Sequence, residues 1–147
     1  MKTAFTIVLC FSFIHIIAPV SAQEGPTYKF VIHAENPIYE MTKEQLSALL
    51  LKKRTKWANN KNVVPVYLSR YSAVRKVISQ EILGKTMSAL DAYWQQKIFS
   101  GRDVPPLEKA SDSEVLAYIQ GHPNAIGYIS ASTKLDGKSV KLLHVKK

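Results

Sequence analysis

The sequence predicts an α/β fold, a mixed sheet flanked by helices, on three observations. Short apolar runs of strand length alternate with segments of helical periodicity, the helical segments open on Ser or Thr, and no repeat, low-complexity tract or interdomain linker interrupts the alternation. With 147 residues the chain suffices for one domain with one core and is too short for two.

Tyr28 to Ala34, with Phe30, Val31 and Ile32 consecutive, reads as a buried strand. Thr42 and Gln45 form a capping box, and Leu46, Leu49 and Leu50 place one apolar stripe on the helix that follows. Lys52-Lys53-Arg54 suits that helix's C-terminal end. Trp57 and Asn59-Asn60 fall in a loop before a second strand, Val63 to Leu68. Pro65 cannot donate to a ladder, which predicts short pairing or a place near an edge. Val74, Val77, Ile78 and Ile82 share a face of a helix from Ala73 to Leu83, with Gly84 as its stop. Thr86 caps a further helix with Leu90, Tyr93, Trp94 and Ile98 inward. Ser111 and Glu114 form a second capping box for a helix to about Gln120, with Val115, Leu116 and Ile119 inward and Gly121 closing it. Ala125 to Ser130 is the third strand, and Val140 to Val145 a fourth after the Asp136-Gly137 turn.

Lys2, the apolar run Ala4 to Ile17 and Val20-Ser21-Ala22 predict a signal peptide over 1–22 and a domain over 23–147, the mature chain beginning at Gln23. The run is short of the roughly 20 residues a membrane span needs, so no stable span is expected after cleavage. Cys10, the one cysteine, lies inside this signal and follows Leu9, not the small residue that precedes a lipoprotein acceptor. The mature domain is therefore expected to hold together by burial, without disulfides.

The formal charge is +9, and cleavage would remove only Lys2 from it. Such a balance attracts polyanions, but an exported protein meets little nucleic acid and no nucleic-acid-binding motif is present, so none is expected as partner. Small anions, acidic envelope polymers, phospholipid headgroups or an acidic protein suit that compartment, and plain solubility is the alternative.

Ser69, Arg70, Ser72 and Arg75, between a strand and a helix start, are candidates for an anion-binding helix entrance. Their plainer reading is a Ser N-cap with solvated arginines. Trp57, Tyr93 and Trp94 read as core, and His33, His122 and His144 lack metal-ligand spacing. There is no nucleophile elbow, P-loop, dinucleotide fingerprint or His-Glu metal motif, so no enzyme activity, cofactor or metal is expected.

The order of several features resembles a known family. Asn36-Pro37, the Leu-x-x-Leu helix, the Trp57 loop, Tyr93-Trp94, Phe99-Ser100-Gly101-Arg102, Pro105-Pro106, Ser111-Asp112-Ser113-Glu114 and Ala125-Ile126-Gly127-Tyr128 resemble the second lobe of the phosphate-binding proteins that serve bacterial ABC importers. The resemblance covers about Val31 to Ser130. It implies a single periplasmic-binding-protein type II lobe, a periplasmic location, and phosphate or another small anion as ligand. The family's second-lobe grip resembles Arg-x-x-x-Ser-Gly-Thr. Here Ser72 matches, while Leu68, Ala73 and Val74 stand for the arginine, glycine and threonine, so Arg70, Arg75 or Lys76 would have to supply the charge. Asn124, where the family has glycine, is expected at positive φ, and Gly127 at a close backbone approach. The expected function is that of an exported, non-catalytic, single-lobe solute-binding-like protein. The alternative is an envelope adaptor that has lost small-molecule binding and docks on a protein partner or on a second copy of itself.

Overall fold

The computed structural model describes residues 27–146, so the expected signal peptide over 1–22 lies outside the described residues. The chain runs β1 Tyr28–His33, β2 Glu40–Thr42, α1 Lys43–Leu50, β3 Val64–Leu68, α2 Ala73–Glu81, α3 Met87–Phe99, β4 Leu107–Lys109, α4 Asp112–Gly121, β5 Ala125–Ser130 and β6 Val140–Lys146. One six-stranded sheet has the order β2-β6-β1-β5-β3-β4. β1 is antiparallel to both β5 and β6, whereas β3 runs parallel to β4 and β5, and β2 to β6. The mixed α/β class read from the sequence is the class of the fold.

Strand alternation assigns the layers. Tyr67 and Tyr128 project to one face, where the Tyr67 hydroxyl donates to the Leu50 carbonyl at the end of α1, Arg75 of α2 lies over the Tyr67 ring, and Trp94 of α3 meets the same ring edge-on. The opposite face belongs to α4. A Cβ on Gly127 would come within 2.7 Å of Val115 Cγ1, so only glycine lets α4 lie this close to β5. The buried core includes Phe30, Ile32, Leu46, Leu50, Val66, Tyr67, Ile78, Leu90 and Tyr128 on both sides of the sheet.

Caps behave as their chemistry predicts in three helices. Thr42 and Gln45 exchange both bonds of the capping box, and Thr86 Oγ1 accepts from the Ala89 N–H. Ser111 Oγ accepts from the Glu114 N–H, but the Glu114 carboxylate accepts from the Ala110 N–H, so this second box closes one residue early. Gly84 does take a left-handed backbone, at φ 63°.

Several expectations are corrected. β2 and β4 were not anticipated; each has three residues and forms an edge of the sheet. The expectation for Pro65 holds: β3 lies one strand in from the edge and pairs with β5 over only Val64 and Pro65, while β4 begins opposite Val66. Ile98 is 49% exposed, because the buried stripe of α3 stops at Trp94. Asn124 does not have positive φ; among the described residues the non-glycine residues in the left-handed region are Lys52 and Asn60. Asn124 instead offers its carbonyl to the buried Trp57 indole N–H at 3.0 Å. Among the described residues no helix is long and apolar enough to cross a membrane.

Candidate functional site

Because β3 and β4 are parallel, the loops that follow them open at the same end of the sheet, and each leads into a helix N-terminus. The loop Ser69 to Ser72 is a tight turn: the Ser69 N–H donates to the Lys109 carbonyl at 2.8 Å and the Ser72 N–H to the Ser69 carbonyl at 2.9 Å. Ser72 arrives at the N-cap of α2 with extended backbone.

Its side chain, however, caps nothing. Ser72 Oγ accepts no bond from the first turn of α2, unlike the cap residues of the other three helices, and no acidic residue lies in that turn. The first-turn N–H groups, which no helix can satisfy internally, are left without a side-chain acceptor. The positive end of the helix dipole therefore has no acidic residue or side-chain cap within its own first turn, the nearby carboxylate being Glu108, which accepts from the Arg70 backbone N–H.

Beneath that entrance lies Arg75, only 5% exposed. It occupies the third position of α2, and helical side chains lean toward the N-terminus, which carries the guanidinium back under the loop. Nη1 donates to the Leu68 carbonyl at 3.0 Å and approaches the Tyr128 hydroxyl at 3.4 Å, while Cζ lies 3.8 Å above the Tyr67 ring centroid. Nε has no partner, and no described carboxylate forms an ion pair with the guanidinium. An arginine carries a fixed charge, and burying an uncompensated charge costs several kcal/mol, on the order of 5. A desolvated cation–π contact offsets about 2 kcal/mol of that. The site therefore holds a positive charge that the protein itself leaves partly unsatisfied. Burial pushes the Tyr128 phenol up to about 12, although the neighbouring Arg75 charge acts to lower it. Tyr67 is also raised, chiefly by its own burial.

Arg70 is placed differently. Its Nη2 pairs with Asp91 Oδ2 of α3 at 2.9 Å, both side chains being about half exposed, and its backbone N–H donates to Glu108 Oε1 at 3.2 Å. Ser69, Ser72 and Arg75 are therefore gathered at the entrance of α2, and Arg70 is turned toward α3. Solvated arginines, the plainer sequence reading, describe Arg70 and not Arg75. The residues missed from the sequence are Tyr67 and Tyr128; each falls in a readable strand, but the pairing of β3 with β5 that sets the two rings side by side is a tertiary fact. Trp57 and Trp94 are buried, and the Tyr93 hydroxyl donates to the Leu51 carbonyl, as core readings require. His122 stacks on Tyr118. No group of three or more His, Cys, Asp or Glu side chains with metal-binding geometry occurs among the described residues.

No protein-family model and no curated protein matches the chain. Solved structures do. One from Clostridium perfringens, described as a phosphate ABC transporter substrate-binding protein with bound phosphate, is 25% identical with a TM-score of 0.62, over 82% of this chain and 44% of its own. An ABC-type phosphate transport receptor from Vibrio cholerae is 20% identical, with a TM-score of 0.64 over 82% of this chain and 46% of its own. PstS from Borrelia burgdorferi is 19% identical, with the same TM-score, over 82% and 47%. The chain thus spans less than half the length of the proteins it resembles, and the fold is that of part of the phosphate-transport binding proteins.

Proposed function

We propose that this chain, which shares its fold with phosphate-transport binding proteins, is an exported, non-catalytic anion-binding protein whose ligand group is phosphate. Gln23 is its mature N-terminus and the periplasm its compartment. The anion sits at the entrance of α2, accepts hydrogen bonds from the first-turn N–H groups and the Ser72 hydroxyl, and is attracted by Arg75 beneath; Ser69 and Arg70 lie at its rim. The observation that carries this reading is the buried Arg75 charge without a carboxylate, directly under an uncapped helix N-terminus. Phosphate supplies the missing negative charge and several acceptors at once.

An open entrance on one lobe leaves the anion partly hydrated. A helix N-terminus contributes about 0.3–1 kcal/mol and a screened ion pair under about 1 kcal/mol, so affinity should lie near 1 mM, which corresponds to about −4 kcal/mol. Calorimetric titration with phosphate and sulfate, at low and physiological salt, tests this. Saturable binding that weakens with salt, is lost in Arg75→Met and is reduced in Arg70→Ala is the expected result; its absence at millimolar phosphate would refute the reading.

A second reading, an adaptor that binds an envelope protein or a second copy of the chain, is favoured by Tyr71 and Phe99, which are 91% and 88% exposed. It expects partner capture that excess phosphate does not disturb.

A further inference from the structure

We propose that this chain docks on an anionic phospholipid surface through a cationic face where α1 and α3 end, independently of the anion site at α2. The turn that leaves α1 is Lys52-Lys53-Arg54, and its position is fixed. The Lys53 and Arg54 N–H groups both donate to the Ala48 carbonyl, at 2.8 and 3.0 Å. Lys52 takes a left-handed backbone, φ 52°, and its Nζ donates to Asp103 Oδ1 at 3.0 Å and to the Val104 carbonyl at 2.9 Å. α3 is tied to the same turn. The Tyr93 hydroxyl donates to the Leu51 carbonyl at 2.7 Å, and the Lys85 and Lys97 ammonium groups each lie 5.4 Å from the Tyr93 ring centroid. Arg102, exposed, follows the end of α3, where its N–H donates to the Lys97 carbonyl at 3.0 Å.

These contacts gather Lys52, Lys53, Arg54, Lys85, Lys97 and Arg102. The carboxylate among them, Asp103, is matched by Lys52, and Glu44 and Glu81 stand at the margin, along a groove that Lys43 and Lys53 also line. A positive excess remains. The cations are fixed at separate points, at the Tyr93 ring, at Asp103 and at the end of α1, which suits a surface bearing many charges better than a single small anion. Apolar side chains favour lipid over a soluble polyanion. Val104, whose carbonyl holds Lys52, is 59% exposed, and Phe99, between Lys97 and Arg102 in the chain, is 88% exposed. The boundary between headgroups and acyl chains takes up such residues, whereas an acidic polymer does not. Lys52, Arg54 and Asp103 also border a groove with Val63 and Pro65, at the start of β3, while the α2 entrance follows the end of that strand. Docking by this face therefore leaves the α2 entrance in solution.

Sedimentation of the purified protein with vesicles of phosphatidylcholine, with and without phosphatidylglycerol, tests the assignment. Binding should be stronger where phosphatidylglycerol is present and should fall with added salt. Lys53→Gln/Arg102→Gln should lose about twentyfold in affinity, roughly fivefold for each cation. Lys134→Gln/Lys138→Gln removes the same charge beyond the end of β5 and should lose no more than about twofold. All of these side chains are exposed, so the variants should fold, and residues 1–22 are the same in each, so differences between variants report the folded face. Phe99→Ser/Val104→Ser should bind vesicles about tenfold more weakly while its affinity for soluble polyglutamate stays within about twofold. Equal losses in the two charge variants overturn the proposal in favour of net charge alone, and undiminished vesicle binding by Phe99→Ser/Val104→Ser overturns it in favour of a soluble acidic partner. Absence of any preference for phosphatidylglycerol overturns it outright and leaves the anion site at α2 untouched.

Discussion

The entrances of α2 and α4 sit at the same end of the sheet, follow parallel strands and begin with the same residue type, yet they are chemically opposite. At α4, Ser111 caps, Asp112 and Glu114 occupy the first turn, and the Asp112 carboxylate accepts from the Ser130 N–H at 3.0 Å and from the Thr133 hydroxyl. At α2, Ser72 caps nothing, Ala73 and Val74 offer no acceptor, and the third position is Arg75. The third residue makes the difference. A glutamate there answers the helix's positive end from within the chain, whereas an arginine adds to it and leaves the balance to something from outside. One entrance is a finished structural joint; the other leaves its first-turn N–H groups without a side-chain acceptor, and the proposed anion would fill that place.

The largest expected effect comes from dismantling the finished joint. Asp112→Ala removes a charged acceptor from two donors, one of them the last N–H of β5, and should lower stability by about 2–3 kcal/mol in urea unfolding. A loss below about 0.5 kcal/mol would mean that α4 is not held by its acid and that the two entrances differ less than their geometry implies.

Alkaline pH probes the other side. Burial raises the Tyr128 phenol to about 12, above the ordinary 10, so the folded chain keeps this proton more tightly than the unfolded chain does. Its contribution is complete below about pH 10 and is lost as pH rises through about 12, so stability should fall over that window. Tyr28, raised to about 12 by partial burial and by Glu81, acts in the same direction. Phenolate absorbance followed alongside unfolding would show whether ionisation accompanies loss of the fold; free titration of all tyrosines near pH 10 in the intact protein contradicts the burial argument.

Arg75→Met should leave stability within about 1 kcal/mol or raise it, since an apolar chain of similar length replaces a charge with no carboxylate partner. It should also move the Tyr128 phenol further upward, because the cation that lowers it is gone. Destabilisation of about 3 kcal/mol or more would instead identify Arg75 as a strut for Tyr67 and Leu68, and the α2 entrance would lose its claim to an external ligand.

Most of the fold was legible because its long elements announce themselves through caps and stripes: Thr42 with Gln45, Thr86 before Leu90, Ser111 before Val115 and Ile119. The short edge strands were not. Leu107-Glu108-Lys109 has no alternation to detect and becomes a strand only because β3 lies beside it. Ile98 sits at the right helical spacing, but periodicity cannot tell that nothing covers the end of α3. At the site, sequence located the loop and the four residues but gave Arg70 and Arg75 the same role. What separates them is tertiary: Asp91 on α3 draws Arg70 outward, and the Tyr67 and Tyr128 rings form a floor on which the Arg75 guanidinium can be buried.

The smallest expected effect is also the most direct test of the contrast, because it applies one substitution to both entrances. Ser111→Ala removes an oxygen that accepts from the Glu114 N–H at 3.3 Å and should cost about 1 kcal/mol of stability. Ser72→Ala removes an oxygen that makes no cap bond and should change stability by no more than about 0.3 kcal/mol. Phosphate binding should respond in the reverse order, falling severalfold in Ser72→Ala, which loses a hydroxyl facing the anion, and staying unchanged in Ser111→Ala. If the two substitutions cost the same stability, Ser72 caps α2 in solution as Ser111 caps α4. The α2 N–H groups would then be satisfied by the chain itself, and an anion there would have to displace the cap before it could bind.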